Sequence, residues 1–337
     1  MVAPYWKCTL SDIDEAMSGL KRGKASILAR SAGGRNIYLV EYGEKEDFGR
    51  KANYSSACGA RDAGHYARKG PDNKPVLLIV GGTHGGELEG IVGVMNLIRA
   101  LETGADYRGT TYEYLYENAN RFRLLLIPCL NPDGRARLGV DWLIDVPEER
   151  FVYWMQGTWK DGTLCGWPDC KAVHPIKEAS GFLGTYFNDD GVNFMHDNFF
   201  APMATETAAL LALADREAVD FHMSLHGGAN SPVHYPPIYY VPEWIKRKHQ
   251  QFNLQLEAAC LARGIPYSAI DQVVTDGANP PFPSFNLVSA VHHASGGLSM
   301  TYESNMGLDA PGVKFTPEQI LDSHMILFEE MFRFYDA

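Results

Sequence analysis

PVLLIVGGTHGGELEG, residues 75–90, is the segment from which the fold class follows. Residues 75–82 form a near-continuous apolar run closed by glycines, the pattern of a strand buried on both faces. Apolar residues then recur at helical spacing over residues 88–101 (Ile91, Val94, Met95, Leu97, Ile98), which predicts a helix after a tight glycine-rich turn. Residues 121–128 (RFRLLLIP) read as a second central strand. The succession strand, turn, helix, strand is the unit of an α/β sheet.

Working outward, residues 25–43 read as two strands around a Gly33-Gly34 turn, with β-branched and aromatic residues on either side. Residues 204–216 and 242–263 read as helices, and residues 218–225 and 298–302 as strands. Residues 316–335 read as an amphipathic closing helix, its T-P-E-Q start fitting a capping box with Pro at the first position. This alternation predicts the α/β class: a mostly parallel or mixed sheet covered by helices on both faces. The loops at its strand ends gather on one rim, where ligand sites of such sheets lie.

At roughly 150 residues per domain, 337 residues would make about two domains. No internal repeat or low-complexity linker divides them, however, and the irregular stretches near 44–75 and 139–192 read as insertions. A single catalytic domain over residues 1–337 is expected. The balance of 30 Lys and Arg against 41 Asp and Glu gives a net charge of −11, which disfavours a broad basic surface for nucleic acid. With no leader-like N-terminus and no apolar run of spanning length, neither a membrane nor export is expected, and the chain is read as cytoplasmic. Six cysteines without a CxxC pair fit a reducing compartment. Cys165 and Cys170 lack the second Cys or His pair of a zinc finger.

The chemistry begins with His84 and Glu87, three residues apart in the glycine-rich turn. An imidazole nitrogen and a carboxylate oxygen, each reaching ~2.0–2.2 Å to an ion, are what Zn²⁺ takes in a catalytic site. The bland alternative is a His capping a carbonyl and a Glu favouring the helix N-terminus. No G-K-[ST] follows the glycines, so a phosphate-cradling P-loop is excluded. A third ligand is expected from the later strand end, VDFHMSLHGG at residues 219–228. His226, just before two glycines, is the first choice there. His222, on the same side of the strand, is its competitor. Glu303, at the end of the strand carrying Met300-Thr301-Tyr302, is placed to take a proton from water.

In chain order, H-x-x-E (His84, Glu87), N-P-D-G (residues 131–134), a late strand-end His226 and T-x-E (residues 301–303) resemble the zinc carboxypeptidase family typified by carboxypeptidase A. The opening S-A-G-G-R-N-I at residues 31–37 resembles that family's early strand pair, and the likeness spans residues 25–335. It implies a three-layer α/β/α sandwich on a mixed, mostly parallel sheet of about eight strands. It also implies one Zn²⁺ held by His84, Glu87 and His226, with Glu303 as general base. The activity implied is zinc-dependent cleavage of an amide or peptide bond in a peptide or an N-acyl amino acid.

Where the family carries G-V-D-L-N-R-N-F, this chain reads G-V-N-F-M-H-D-N-F, residues 191–199. Asn193 takes the place of the Asp that orients the first zinc His. Met195 and His196 take those of the Asn and Arg that bind a terminal carboxylate. Asn193 and His196 therefore become substrate-side candidates, and Arg135, with Arg137 or Lys160, is an alternative source of positive charge. No counterpart of the family's mobile tyrosine is evident, and His292 and His293 read as a surface pair. Two rivals remain: a deacylase resembling the succinylglutamate desuccinylase and aspartoacylase group, and a binding protein that kept the fold and lost turnover.

Overall fold

The computed structural model describes residues 2–268 and 285–336. In chain order the elements are α1 (Leu10–Ser18), β1 (Lys24–Arg30), β2 (Asn36–Tyr42), α2 (Tyr54–Gly59), β3 (Val76–Val80), α3 (Leu88–Thr103), α4 (Glu113–Asn118) and β4 (Arg123–Ile127). There follow α5 (Pro132–Arg137), α6 (Glu148–Gln156), β5 (Gly157–Trp159), β6 (Ser180–Leu183), α7 (Thr205–Glu217), β7 (Phe221–Gly227), α8 (Glu243–Ala262), α9 (Leu287–Ser295), β8 (Leu298–Ser304) and α10 (Pro317–Asp336).

The main sheet runs β1-β2-β4-β3-β7-β8. The β1–β2 and β2–β4 pairs are antiparallel, while β4, β3, β7 and β8 run parallel to one another. Alternate residues of its central strands serve two separate cores. Leu77, Ile79, Leu124 and Leu126 pack with α3, α8 and α10 on one face. Leu78, Val80, Leu125 and Ile127 pack with α7 and α9 on the other. Both faces are covered, so β3 and β4 have no polar side to alternate with, and this is why they read as unbroken apolar runs. The architecture is the α/β/α sandwich expected from the sequence.

The main sheet holds six strands among the described residues, rather than about eight. The short strands β5 and β6 pair only with each other, inside the insertion at 139–192. Their apolar neighbours Cys165, Cys170, Ile176 and Phe187 make a small core of their own. Among the described residues no helix is long and apolar enough to cross a membrane.

The chain leaves β3 through α3 to β4 on one side and returns on the other side as β7. The C-terminal end of β3 is therefore the topological switch point, where parallel strands leave a crevice. The turn there is held tightly. Gly82 adopts φ +57, a left-handed conformation favourable only to glycine. Gly85 lies so close to the next turn that a Cβ would meet the Arg135 backbone nitrogen at 2.2 Å and the Asn131 carbonyl oxygen at 2.6 Å.

Two sequence motifs explain each other across this rim. The Asp133 carboxylate accepts from the Ser31 hydroxyl at 2.5 Å, the Gly33 N–H at 2.8 Å and the Arg35 guanidinium at 2.8 Å. The Asn131 side chain caps α5 through the Gly134 N–H at 2.9 Å. Its backbone N–H donates to the Gly82 carbonyl at 2.8 Å, fixing the turn that carries His84.

Because backbone atoms cannot yield as side chains do, Gly85→Ala is expected to cost about 1–3 kcal/mol of stability by overpacking. Gly139→Ala, where a Cβ meets nothing within 4 Å, should be near neutral. Denaturant melts of the two variants check this.

Candidate active site

His84 stands on the turn after β3, Glu87 at the entry to α3, and His226 near the end of β7. All three are buried. Both histidines turn Nδ1 toward Glu87: His84 Nδ1 lies 2.8 Å from Oε1 and His226 Nδ1 lies 2.9 Å from Oε2. The two Nδ1 atoms are 3.3 Å apart. Among the described residues these three form the one group whose donor atoms converge as a metal site requires.

The partners of His84 fix its tautomer. Asn193 Oδ1 accepts the Met195 backbone N–H at 3.0 Å, so the atom facing His84 Nε2 at 3.2 Å is an oxygen. Nε2 must then carry the proton, which leaves the Nδ1 lone pair of the neutral ring aimed at Glu87 and His226. A bare nitrogen pointed at a carboxylate is unfavourable without a cation between them, and two imidazoles with one carboxylate are a donor set that suits Zn²⁺. On the far side of the cluster, His226 Nε2 meets Ser224 Oγ at 2.8 Å, and Ser224 Oγ meets Thr83 Oγ1 at 3.1 Å. Burial alone would push the Glu87 carboxyl up, but positive charge beside it, carried by the imidazoles of His84 and His226 when they are protonated, outweighs burial and holds the group well below the usual carboxylate range.

His222 lies deeper, in the sheet. Its Nδ1 contacts Ser299 Oγ at 2.8 Å, and it takes no part in the convergence. Glu303 sits on β8 directly across from His226 in the parallel register. It lines the same cleft, and its carboxylate makes no hydrogen bond among the described residues. Burial raises the Glu303 carboxyl to about 7; repulsion from Glu87 adds to this, while His226 and Lys171 oppose it.

The cleft has a volume of about 550 Å³. His196 lines it, with its imidazole held neutral: burial, then the charge of Lys171 and the neighbouring histidines, press its pKa down to about 3. It therefore does not reproduce the charge of an arginine. Asn193 acts on His84 from behind, as described above, and is not among the residues lining the cleft.

The expectation that Arg135 supplies positive charge to the substrate is corrected. Its guanidinium is buried on the Cys8 carbonyl at 2.8 Å and on Asp141, away from the cleft. Arg137 is likewise engaged, by Asp189 at 2.6 Å and the Gly184 carbonyl at 2.8 Å. Of the expected surface pair His292 and His293, only His293 is exposed. His292 is buried and bonds the Gly297 carbonyl through Nδ1 at 2.8 Å, while His293 Nε2 meets the Tyr240 carbonyl at 2.7 Å.

Two cleft residues escape motif reading. The Tyr186 ring stacks on His84, with centroids 4.0 Å apart and planes at 22°. Burial, reinforced by Glu87 and Glu303, keeps its phenol protonated. Lys171 enters from the same insertion, its ammonium 4.9 Å from the centre of the Trp167 ring. Neither residue belongs to a regular element with a period to read; the aromatic content of the insertion is the only signal of them in the sequence.

The zinc carboxypeptidase family model matches residues 21–263. No curated protein sequence matches the chain. Among solved structures, a metallo-carboxypeptidase from Burkholderia cenocepacia superposes with TM-score 0.60 at 17% identity, covering 97% of this chain and 68% of that one. Carboxypeptidase A from Helicoverpa armigera does so with TM-score 0.56 at 12% identity, over 98% and 74%. A Pseudomonas aeruginosa metallo-carboxypeptidase, solved in complex with (2-guanidinoethylmercapto)succinic acid, gives TM-score 0.55 at 14% identity, over 96% and 67%. At these identities the structures speak for the fold alone, whereas the family model spans most of the chain and contains the His-Glu-His convergence. The chain belongs to the zinc carboxypeptidase family.

Proposed function

We propose that this protein is a carboxypeptidase-like, zinc-dependent hydrolase cleaving an amide or peptide bond of a small peptide substrate. In this reading residues 1–337 act as one catalytic unit in a reducing, cytoplasmic compartment, without nucleic acid or membrane as partner. Six free cysteines are in keeping with that compartment. The observation that carries the reading is the approach of both Nδ1 atoms to a single buried carboxylate, with a second carboxylate facing the same cleft.

His84, Glu87 and His226 would hold one zinc ion. When bound, such an ion lowers the pKa of water toward ~7 and polarises a carbonyl. The chain's own residues do the rest. Asn193 holds the His84 ring through Nε2–H and keeps Nδ1 directed inward. Tyr186 packs over the face of that ring and keeps bulk water from it. The Glu303 carboxylate accepts the proton of the attacking water and returns it to the departing nitrogen, so that the amine leaves neutral.

An N-acyl amino acid deacylase is the second reading, favoured by a cleft without arginine among its described lining residues. A binding protein without turnover is disfavoured, because all three candidate ligands and the candidate base are present and face one another. Hydrolysis of blocked dipeptides and N-acyl amino acids, with and without chelator, tests the proposal. Chelator-sensitive release of amine is expected, and its absence across the panel with zinc-loaded protein overturns the reading.

Glu303→Gln should keep its zinc while turnover drops by about 10²–10⁴-fold, the usual contribution of a positioned base. Zinc content and initial rates measured on one preparation check this. Asn193→Ala removes the acceptor behind His84 and is expected to weaken zinc binding by about 10–100-fold, as losses at such supporting partners do. Asn193→Asp should retain tight binding. Competition against a chromophoric chelator reads both.

A further inference from the structure

The family's arginine position is occupied here by a neutral histidine, and the arginines nearest in sequence, Arg135 and Arg137, are engaged elsewhere. Lys171 is the single fixed cation among the described residues that line the cleft. Its ammonium makes no ion pair or hydrogen bond among the described residues. Its stem leaves the insertion beside the buried Cys170, and its ammonium lies over the Trp167 ring, which fixes its direction. A cation on an aromatic face keeps its N–H donors available for a further partner; burial lowers the pKa of the Lys171 ammonium, and Cys170 and Glu303 oppose that shift. Glu303 and His196 lie within electrostatic reach of it.

The charge balance of the cleft points the same way. Glu87 and Glu303 are its two acids, and a divalent ion held among His84, Glu87 and His226 is matched by their two charges. Lys171 is then left over, an uncompensated positive charge facing a mostly apolar wall that includes Phe151, Met195 and Pro236. A ligand that fills the cleft without an anionic group would leave that ammonium desolvated and unpaired, which is costly.

We propose that Lys171 is the specificity-determining residue of this cleft and pairs with a carboxylate of the substrate. The anion contact is thus supplied by the insertion, not by the segment at 191–199. This rests on the hydrolase reading above. An ammonium offers a point charge, not the planar fork of a guanidinium, so it fixes the sign of the substrate charge more strictly than its geometry. Free α-carboxylates in somewhat different positions are accepted, whereas the corresponding amides are discriminated against.

The test compares Lys171→Met, Lys171→Arg and wild type on blocked dipeptides and N-acyl amino acids, each offered as free acid and as carboxamide. In parallel, 2-benzylsuccinate is titrated calorimetrically into the zinc-loaded proteins. Wild type should favour the acids. Lys171→Met should raise KM for acids by about 10–100-fold, consistent with loss of a charge-assisted contact, and lower KM for the amides, which no longer leave an ammonium unpaired. Lys171→Arg should keep most of the preference, and 2-benzylsuccinate should bind Lys171→Met at least tenfold more weakly.

Equal acid-to-amide ratios in wild type and Lys171→Met, or no preference in wild type, overturn the role of Lys171 and leave the hydrolase reading standing. If nothing in the panel is cleaved, the hydrolase reading falls and the calorimetry decides alone. Weaker binding to Lys171→Met then supports the anion site, and unchanged or absent binding overturns it.

Discussion

The buried Glu87 carboxylate, 2.8 and 2.9 Å from two imidazole nitrogens, is the constraint around which the rest of the site is arranged. Desolvating a carboxylate costs several kcal/mol unless opposite charge or donors compensate it. In this pocket the compensation must come from the imidazoles themselves or from a cation shared with them. The local sequence meets that demand in four residues. His84 and Glu87 are separated by two glycines, so the chain can reverse at the head of α3 and bring both side chains of one turn to the same point. His226 has to come from β7, and the parallel register of β7 beside β3 delivers it there.

Keeping that point fixed is the work of a second acid far from the cleft. Asp133 gathers the Ser31 hydroxyl, the Gly33 N–H and the Arg35 guanidinium, binding the first hairpin to the segment after β4. Through Asn131 the same segment holds the carbonyl of Gly82 on one side. On the other it holds the carbonyls of Thr185 and Tyr186, each at 3.4 Å. The His84 turn and the insertion that lays Tyr186 on it therefore share one anchor. Ligand geometry of this kind tolerates only small errors, on the order of 0.5 Å, so a rigid support is a condition of the chemistry.

What could be read from the sequence follows from which signals are local. The strands β3 and β4 and the helix α3 announce themselves because their burial is complete and periodic. His84 and Glu87 are legible because a His and a Glu in a glycine-rich strand-to-helix turn have a common chemical use, and the family resemblance strengthens that use. The choice between His222 and His226 is not a local matter. Both share a face of β7, and only the distance along the strand to the rim separates a side chain that meets Glu87 from one that meets Ser299. Arg135 misleads for the same reason. Its charge is visible in the sequence, but the Cys8 carbonyl and Asp141 that absorb it arrive from other parts of the chain. The pairing of β5 with β6 instead of with the main sheet lies in the long-range contacts of the insertion, which carry no period.

The division of labour between sheet and insertion has a functional consequence. His84, Glu87, His226 and Glu303 all sit on or next to the ends of β3, β7 and β8, so the proposed bond cleavage would depend on a framework buried on both faces and intolerant of change. Lys171, Tyr186 and His196 come from residues 157–196, which contain short strands, single helical turns and their own small core. A segment of that kind can exchange side chains without disturbing the sheet. Under the proposed function, the absence of arginine at residues 191–199 is compatible with activity, because the candidate ion-holding groups and candidate base stand at the ends of β3, β7 and β8, and Asn193 of this segment still supports His84. What it would alter, on the proposal made for Lys171, is which substrates can balance the charge of the cleft, since the insertion brings that ammonium over Trp167.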